Sequence, residues 1–278
     1  MIMSKLSFVP LPFMRAAAFL PTYDPAKERA WHLSIWASAE TSAWCVHDLA
    51  TGRCAALSAD RGSAMPDDNR LPHRPVTVSF TALPELSTLV PESALAPGSE
   101  ERHLRTVHGA LPTGVLRDEP IGALGARCLY LHDEQAEQRL VARFPNARPL
   151  PLQAVLVHTV LARGGEKPVL LLHRSAKRLD LAIARGQRLL LSNTFHAMTP
   201  EDALYYALFA LEQCGTRPEE ARCLIGGTHL SAAEEDLLKK YLPDIAHAVV
   251  PADPRLTGLG LEAPHRFAAL LEQHACAS

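Results

Sequence analysis

The stretch from residue 168 to 230 constrains the fold more than any other part of the chain. It contains three apolar runs that are too short for helices, and tight connections at 174–177 and 185–187 separate them. The next apolar residues recur every three or four positions from Ala203 to Cys214, which is the period of a helix. The stretch therefore predicts an antiparallel meander of three strands followed by one long helix.

Both ends of this helix carry local signals. Thr199 can accept a backbone N–H bond as the N-cap, Pro200 suits the first helical position, and Asp202 lies at the capping-box spacing. Gly215 can adopt the left-handed conformation that commonly ends a helix. We therefore predict a helix between these two sets of residues.

The elements that follow the helix indicate the fold class. A short strand at 222–225, a capped helix at 232–242 and another strand at 245–250 continue the chain. A strand that returns to the same sheet through a helix requires a right-handed crossover. The order predicts an α/β protein with mixed sheets covered by helices, as in ribonuclease-H-like and actin-like domains.

A second meander lies near the N-terminus. Its three apolar runs, 31–37, 43–48 and 53–57, match the spacing of the first meander when Ile35 is placed on Leu171. We infer a duplicated unit, in which each lobe is a three-stranded meander plus helix–strand crossovers. Two such lobes leave a cleft between them.

The duplication divides the chain into four parts. We predict an N-terminal arm at 1–30, a first lobe at 31–165, a second lobe at 166–250, and a C-terminal loop and helix at 251–278. The arm faintly resembles a secretory signal, but prolines interrupt its apolar run, so an arm lying over the first lobe is preferred.

Composition excludes several classes of function. A formal net charge of −2 and a pI near 6.7 argue against a nucleic-acid partner, and no apolar run is long enough to span a membrane. The six cysteines form no C-x-x-C pair, and His103 and His108 lack the four-residue ligand spacing. We expect a cytoplasmic protein with reduced cysteines and without a metal site or a cofactor.

Several short motifs resemble a bacterial family known as domain of unknown function 3822. The pattern N-x-F…E-D-x-x-Y-Y…L-x-G occurs at 193–195, 201–206 and 224–226, and further similar residues are Leu33 to Ile35 and Thr88 to Glu92. The similarity extends from about residue 31 to 250. It implies a two-lobed protein of the actin-like ATPase superfamily with no established activity.

Actin-like enzymes hold nucleotide phosphates in the first hairpin turn of each lobe, where backbone N–H groups and a metal-binding carboxylate meet. The corresponding turns here are 38–41 and 174–177. Neither contains glycine or a carboxylate in the expected place. The resemblance therefore implies phosphate sites that have lost their usual chemistry.

A nucleotide site, if one is retained, would use five residues. The turn Gly226, Gly227, Thr228 resembles an adenosine-contacting turn, and Arg174 and Lys177 are cations near the second hairpin turn. The alternative for the two glycines is a tight strand-to-helix turn, and the alternative for the cations is a solvated turn.

The sequence identifies no catalytic residue. A two-metal nuclease needs clustered carboxylates, but we expect Asp180 to face solvent and Asp202 to cap a helix. Walker, G-x-S-x-G and H-E-x-x-H motifs are absent from the sequence.

The leading hypothesis is a pseudo-enzyme: a non-catalytic scaffold of actin-like fold that binds another protein. The alternative is a nucleotide-binding ATPase or kinase-like protein with degenerate phosphate loops. The sequence identifies neither the partner nor the oligomeric state.

Overall fold

A computed structural model of the chain describes residues 16–27, 30–62 and 68–277. Much of the predicted N-terminal arm therefore lies outside the described residues. The described part forms fourteen strands: β1 (Ala16–Phe19), β2 (Trp31–Ala37), β3 (Thr41–Asp48), β4 (Cys54–Arg61), β5 (Thr77–Ala82), β6 (Glu85–Pro91), β7 (Val115–Ile121), β8 (Ala126–His132), β9 (Ala147–Pro149), β10 (Val169–Arg174), β11 (Arg178–Arg185), β12 (Arg188–His196), β13 (Arg222–Gly226) and β14 (Ile245–His247). The same residues form six α-helices: α1 (Glu100–His108), α2 (Glu134–Arg143), α3 (Leu152–Ala162), α4 (Pro200–Gln213), α5 (Ala232–Tyr241) and α6 (Ala268–Ala277).

The described strands form two large mixed sheets and a small antiparallel one. Their orders are β1-β4-β3-β2-β5-β9, β12-β11-β10-β13-β14 and β6-β8-β7. In each large sheet three consecutive strands form a meander, and the next strand to join pairs in parallel with the first strand of that meander, β5 with β2 and β13 with β10. The predicted duplication and the mixed α/β class are confirmed.

The first hairpin turn of each lobe closes in the same way. The Ser38 N–H donates to the Thr41 carbonyl at 3.0 Å, and the Ser175 N–H donates to the Arg178 carbonyl at 2.9 Å. The two serines are therefore equivalent, and Glu40 in the first turn corresponds to Lys177 in the second.

This equivalence corrects the predicted alignment of the two meanders by one residue. Ile35 corresponds to Leu172, whereas the sequence placed it on Leu171. A shift of one residue exchanges the two faces of a strand. The error arose because β2 and β10 are buried along their whole length, so that no polar alternation marks which face is which.

Two helices fill the space between the large sheets. α3 packs on the second sheet, and α6 packs on the first sheet although it ends the chain. α3 is buried on almost every side and most of its residues are apolar, as expected for a helix enclosed by other elements. Trp36, Leu156, Leu171 and Leu270 belong to one continuous core that joins the two lobes.

The helices on the outer faces complete each lobe. α4 and α5 cover the far side of the second sheet, and α1 covers the small sheet. The capping box of α4 is confirmed, since the Thr199 hydroxyl accepts from the Asp202 N–H at 3.1 Å and the Asp202 carboxylate accepts from the Thr199 N–H at 2.9 Å. Among the described helices, none has both the length and the apolar character to cross a bilayer.

Candidate functional site

A cleft of about 250 Å³ lies where the first hairpin turns of the two lobes face each other. Glu40 and Lys177 line it from the two turns, and Thr228 and His229 line it from the loop after β13. Trp36 provides an aromatic wall. The volume is slightly below the lower limit of about 300 Å³ that is usual for a small-molecule site.

The hairpin turn of the first lobe uses its own polar groups. The Ser38 hydroxyl accepts from the Thr41 N–H at 2.9 Å and from the Glu40 N–H at 3.3 Å, and it donates to the Thr41 carbonyl at 2.9 Å. A phosphate cradle requires N–H groups that are available to the ligand. The amides of Ser38, Glu40 and Thr41 are already paired within the protein.

A carboxylate occupies the cleft beside that turn. Glu40 Oε2 lies 3.3 Å from His229 Nε2, so the contact joins the first lobe to the second. Burial lowers the pKa of His229, although the neighbouring Glu40 carboxylate acts in the opposite direction. A negative charge at this position repels phosphate groups.

Arg174 lies beneath the second turn, away from solvent. Its Nη1 donates to the carbonyls of Ala176 at 3.1 Å and Arg178 at 3.3 Å, and its Nε donates to Glu234 at 3.3 Å. Burial raises the pKa of Glu234 to about 7, and the Arg174 guanidinium opposes this shift. The guanidinium thus supports the turn from inside.

The two glycines at the end of β13 pack against the protein itself. A Cβ atom on Gly226 would lie 2.6 Å from the His265 carbonyl oxygen. Gly227 has a φ of 115°, and its Cβ would lie 2.2 Å from the Arg174 carbonyl oxygen. These close contacts explain why glycine is required and favour the tight-turn interpretation of the pair.

Of the five predicted nucleotide contacts, the structure places Lys177 and Thr228 on the cleft. Lys177 is exposed and makes no ion pair with any described residue. The Thr228 hydroxyl lies 3.0 Å from His229 Nδ1. Arg174, Gly226 and Gly227 do not line the cleft and lie behind these two residues, where they support the cleft wall.

The prediction that Asp180 faces solvent is wrong. Asp180 is buried, with Arg178 Nε 2.9 Å from both carboxylate oxygens and the Thr194 hydroxyl 2.6 Å from one. Arg178 also donates to the Glu85 carbonyl of the small sheet at 2.5 Å. The sequence did not reveal this cluster because its members come from both lobes.

An aromatic surface lies on the second lobe, away from the cleft lining. Tyr205 and Phe209 are exposed by 61% and 38%, and their rings are parallel within 10° at a centroid distance of 6.0 Å. Tyr206, also on α4, stacks on Phe195 of β12 at 4.3 Å. We call Phe195, Tyr205, Tyr206 and Phe209 the aromatic surface.

A family comparison identifies the chain. The model of the family described as Protein of unknown function (DUF3822) matches residues 74–245, more than half of the sequence. The chain belongs to this family. Three of the four residues of the aromatic surface, Phe195, Tyr205 and Tyr206, also belong to the motifs by which the sequence resembles DUF3822. No curated protein matches the sequence significantly.

Solved structures show the fold of this DUF3822 member. A Bacteroides thetaiotaomicron protein with actin-like ATPase fold and unknown function is 18% identical, with a TM-score of 0.69 over 80% of this chain and 92% of that one. The PilM-PilN type IV pilus biogenesis complex contains a chain that is 13% identical, with a TM-score of 0.50 over 90% of this chain and 99% of that one. The actin-like fold is therefore confirmed.

Proposed function

We propose that this DUF3822 protein is a non-catalytic, actin-like-fold scaffold that binds another protein through the aromatic surface. The observation that carries the proposal is the exposed, stacked pair Tyr205 and Phe209. Aromatic side chains are enriched at protein interfaces, and clustered exposure of them is unusual elsewhere. The fold tolerates such a role, since the similar PilM chain was solved in a complex with PilN.

The neighbouring strand defines the kind of partner. β12 is an edge strand of the second sheet, and no described strand pairs with its outer edge. An open edge can accept an extended segment through backbone hydrogen bonds, while adjacent side chains select for sequence. The proposed partner presents an extended segment with apolar side chains that contact Tyr205 and Phe209.

The interior of the cleft supports the non-catalytic part of the proposal. The amides of Glu40 and Thr41 are paired with Ser38, and Arg174 is held by the carbonyls of its own turn. The alternative function, a nucleotide-binding protein with degenerate phosphate loops, depends on Lys177 and Thr228, which line the cleft.

The cysteines support a cytoplasmic location. All six are free thiols, and four of them are buried. Disulfides are rare in cytosolic proteins, where thiols are kept reduced. We therefore place the protein and its proposed partner in the cytoplasm.

Site-specific photo-crosslinking in the host cell tests the proposed interface. We expect a photo-reactive residue at position 205 to give one discrete adduct with a different protein, and Phe209→Ser to weaken it strongly. Position 107 is the matched control, because Val107 is 58% exposed but lies on α1 of the first lobe. Equal labelling from both positions, no adduct, or an adduct only with a second copy of the chain contradicts the proposal.

A further inference from the structure

Three side chains with metal-binding atoms meet on the second lobe. Glu235 comes from α5, His247 from β14, and His265 from the 3-10 turn that precedes α6. Their ligand atoms all lie within 4.8 Å of one another. His247 Nε2 is 3.0 Å from one carboxylate oxygen of Glu235, and His265 Nε2 is 3.8 Å from the other.

The two imidazoles are arranged around a single carboxylate. Their rings are parallel within 11° and 3.7 Å apart, so that both Nε2 atoms point toward Glu235. The contact from His247 is an ordinary hydrogen bond, whereas 3.8 Å is too long for one from His265. No other described residue hydrogen-bonds either ring nitrogen of His265. The contact between Glu235 and His247 therefore does not explain why the His265 imidazole also lies beside Glu235.

We propose that Glu235, His247 and His265 form a binding site for a divalent transition metal of the zinc class. Two imidazole nitrogens and one carboxylate oxygen are a ligand set that zinc accepts, at bond lengths of about 2.0 to 2.2 Å. Such bonds place the ligand atoms about 3 to 3.5 Å apart, which requires His265 to approach Glu235 and the two rings to tilt toward each other.

The His247 side of the group leaves room for an ion. His247 keeps 33% of its side-chain surface exposed, which leaves an approach for the ion and a fourth position for water. Lys239 Nζ lies 3.5 Å from Glu235 Oε2 and competes with a cation, but its side chain is 53% exposed and can turn into solvent. Three separate elements would then be held by one ion.

Metal binding would hold the C-terminal segment against the second lobe. The Gly227 N–H donates to the His265 carbonyl at 3.0 Å, so the proposed ligand also supports the glycine turn beside the cleft. α6, which begins directly after the 3-10 turn, packs on the sheet of the first lobe. Metal binding should therefore slow hydrogen exchange at the Gly227 amide.

A second group of possible ligands provides the competing outcome. Cys45, His47 and Cys54 also have ligand atoms within 4.8 Å of one another, but all three are buried in the first lobe. Burial raises the pKa of the Cys45 thiol well above its ordinary value, which disfavours the thiolate that a metal requires. The two groups differ in their ligand atoms, because only the group of Cys45, His47 and Cys54 contains sulfur.

Zn²⁺ titration of the chelator-treated full chain by calorimetry tests the proposal. We expect one ion per chain. Binding should be more than about 100-fold weaker in His247→Ala and in Glu235→Gln, because each variant loses a direct metal ligand, and even the loss of a residue that only hydrogen-bonds a ligand weakens binding by about 10 to 100-fold. His196→Ala is the matched control, since His196 is exposed at the end of β12 and should leave binding unchanged. Thermal unfolding of each variant without metal shows whether it is folded.

The absorption spectrum of the Co²⁺ complex and amide exchange distinguish the two groups. We expect a spectrum without thiolate-to-cobalt charge transfer, and Zn²⁺-dependent protection of Gly227 that His247→Ala abolishes. Absence of stoichiometric binding, or binding that Glu235→Gln and His247→Ala leave intact, overturns the proposal. A charge-transfer band that disappears in Cys54→Ser overturns it as well, by placing the ion in the first lobe.

Discussion

Gly227→Ala is expected to lower the free energy of unfolding by about 3 kcal/mol or more. The added Cβ would lie 2.2 Å from the carbonyl oxygen and 2.5 Å from the nitrogen of Arg174, and both are backbone atoms that cannot rotate away. The φ of 115° is itself unfavourable for alanine. Relief by backbone movement would break the bond from the Gly227 N–H to His265.

Equilibrium unfolding in urea measures this effect. Gly122→Ala is the matched control, because its Cβ would meet nothing within 4 Å and its φ is not in the left-handed region. We expect the control to change stability by less than about 1 kcal/mol. Equal midpoints for the two variants would show that the contact with Arg174 is not rigid. A large effect also means that substitutions at Gly227 test folding and cannot test purine binding.

Glu85→Gln is expected to stabilise the protein at pH 8 but to have little effect near pH 4. Both carboxylate oxygens of Glu85 are buried, and Arg178 Nη2 lies 3.7 Å from one of them, too far for a hydrogen bond. Burial raises the pKa of Glu85 to about 7, although the Arg178 guanidinium acts against this. Glutamine removes the charge that is costly to bury and keeps a similar shape.

The direction of the pH dependence follows from the raised pKa. The folded protein holds the Glu85 proton more tightly than the unfolded chain does, so stability from this group is complete below about pH 4.5. It falls as the pH rises from about 4.5 to 7, by an amount on the order of 3 kcal/mol, and is constant above that range. Glu234 has a pKa raised to about 7 as well, so the difference between wild type and variant, not the wild-type curve, isolates Glu85.

Urea midpoints at pH 4, 6 and 8 provide the test. Glu101→Gln is the control, because it makes the same chemical change at an exposed carboxylate on α1. We expect a gain for Glu85→Gln that grows between pH 4 and pH 8, and no comparable growth for the control. If the stability difference between Glu85→Gln and wild type did not change with pH, the pKa of Glu85 would not be raised by burial.

Local sequence signals predicted the parts of the fold that depend on neighbouring residues. The α4 capping box joins Thr199 and Asp202, which are three residues apart, and the structure contains both of its hydrogen bonds. The hairpin turns and the strand-helix order are also encoded over short distances. These elements were predictable because the interacting groups are close in the chain.

Contacts between distant segments were not predictable in the same way. The alignment of the two meanders was wrong by one residue because β2 and β10 are buried on both faces. Asp180 was misassigned because Arg178 neutralises it in the interior, and the contact of Arg178 with Glu85 of the first lobe forms only after the lobes pack. The third sheet includes β7, from a segment with no clear periodicity, and its Pro120 is unusual inside a strand.

The proposed metal ligands illustrate the same limit. Glu235 and His247 are twelve residues apart on different elements, and no helical ligand spacing links them. His265 joins them only because the C-terminal segment returns to the second lobe. A fixed spacing along one helix, which His103 and His108 lack, cannot reveal ligands that come from three separate elements.

Calorimetric titration with ATP and Mg²⁺ tests most directly the claim that the cleft of this actin-like protein has lost nucleotide binding. We predict no binding up to about 1 mM ATP, which corresponds to less than about 4 kcal/mol of affinity. The reasons are the paired amides of the first turn, the internally held Arg174, and the Glu40 carboxylate in the cleft. Micromolar binding in the wild type that Lys177→Ala removes, and that Lys240→Ala on the exposed side of α5 retains, would contradict the claim and establish the nucleotide-binding alternative.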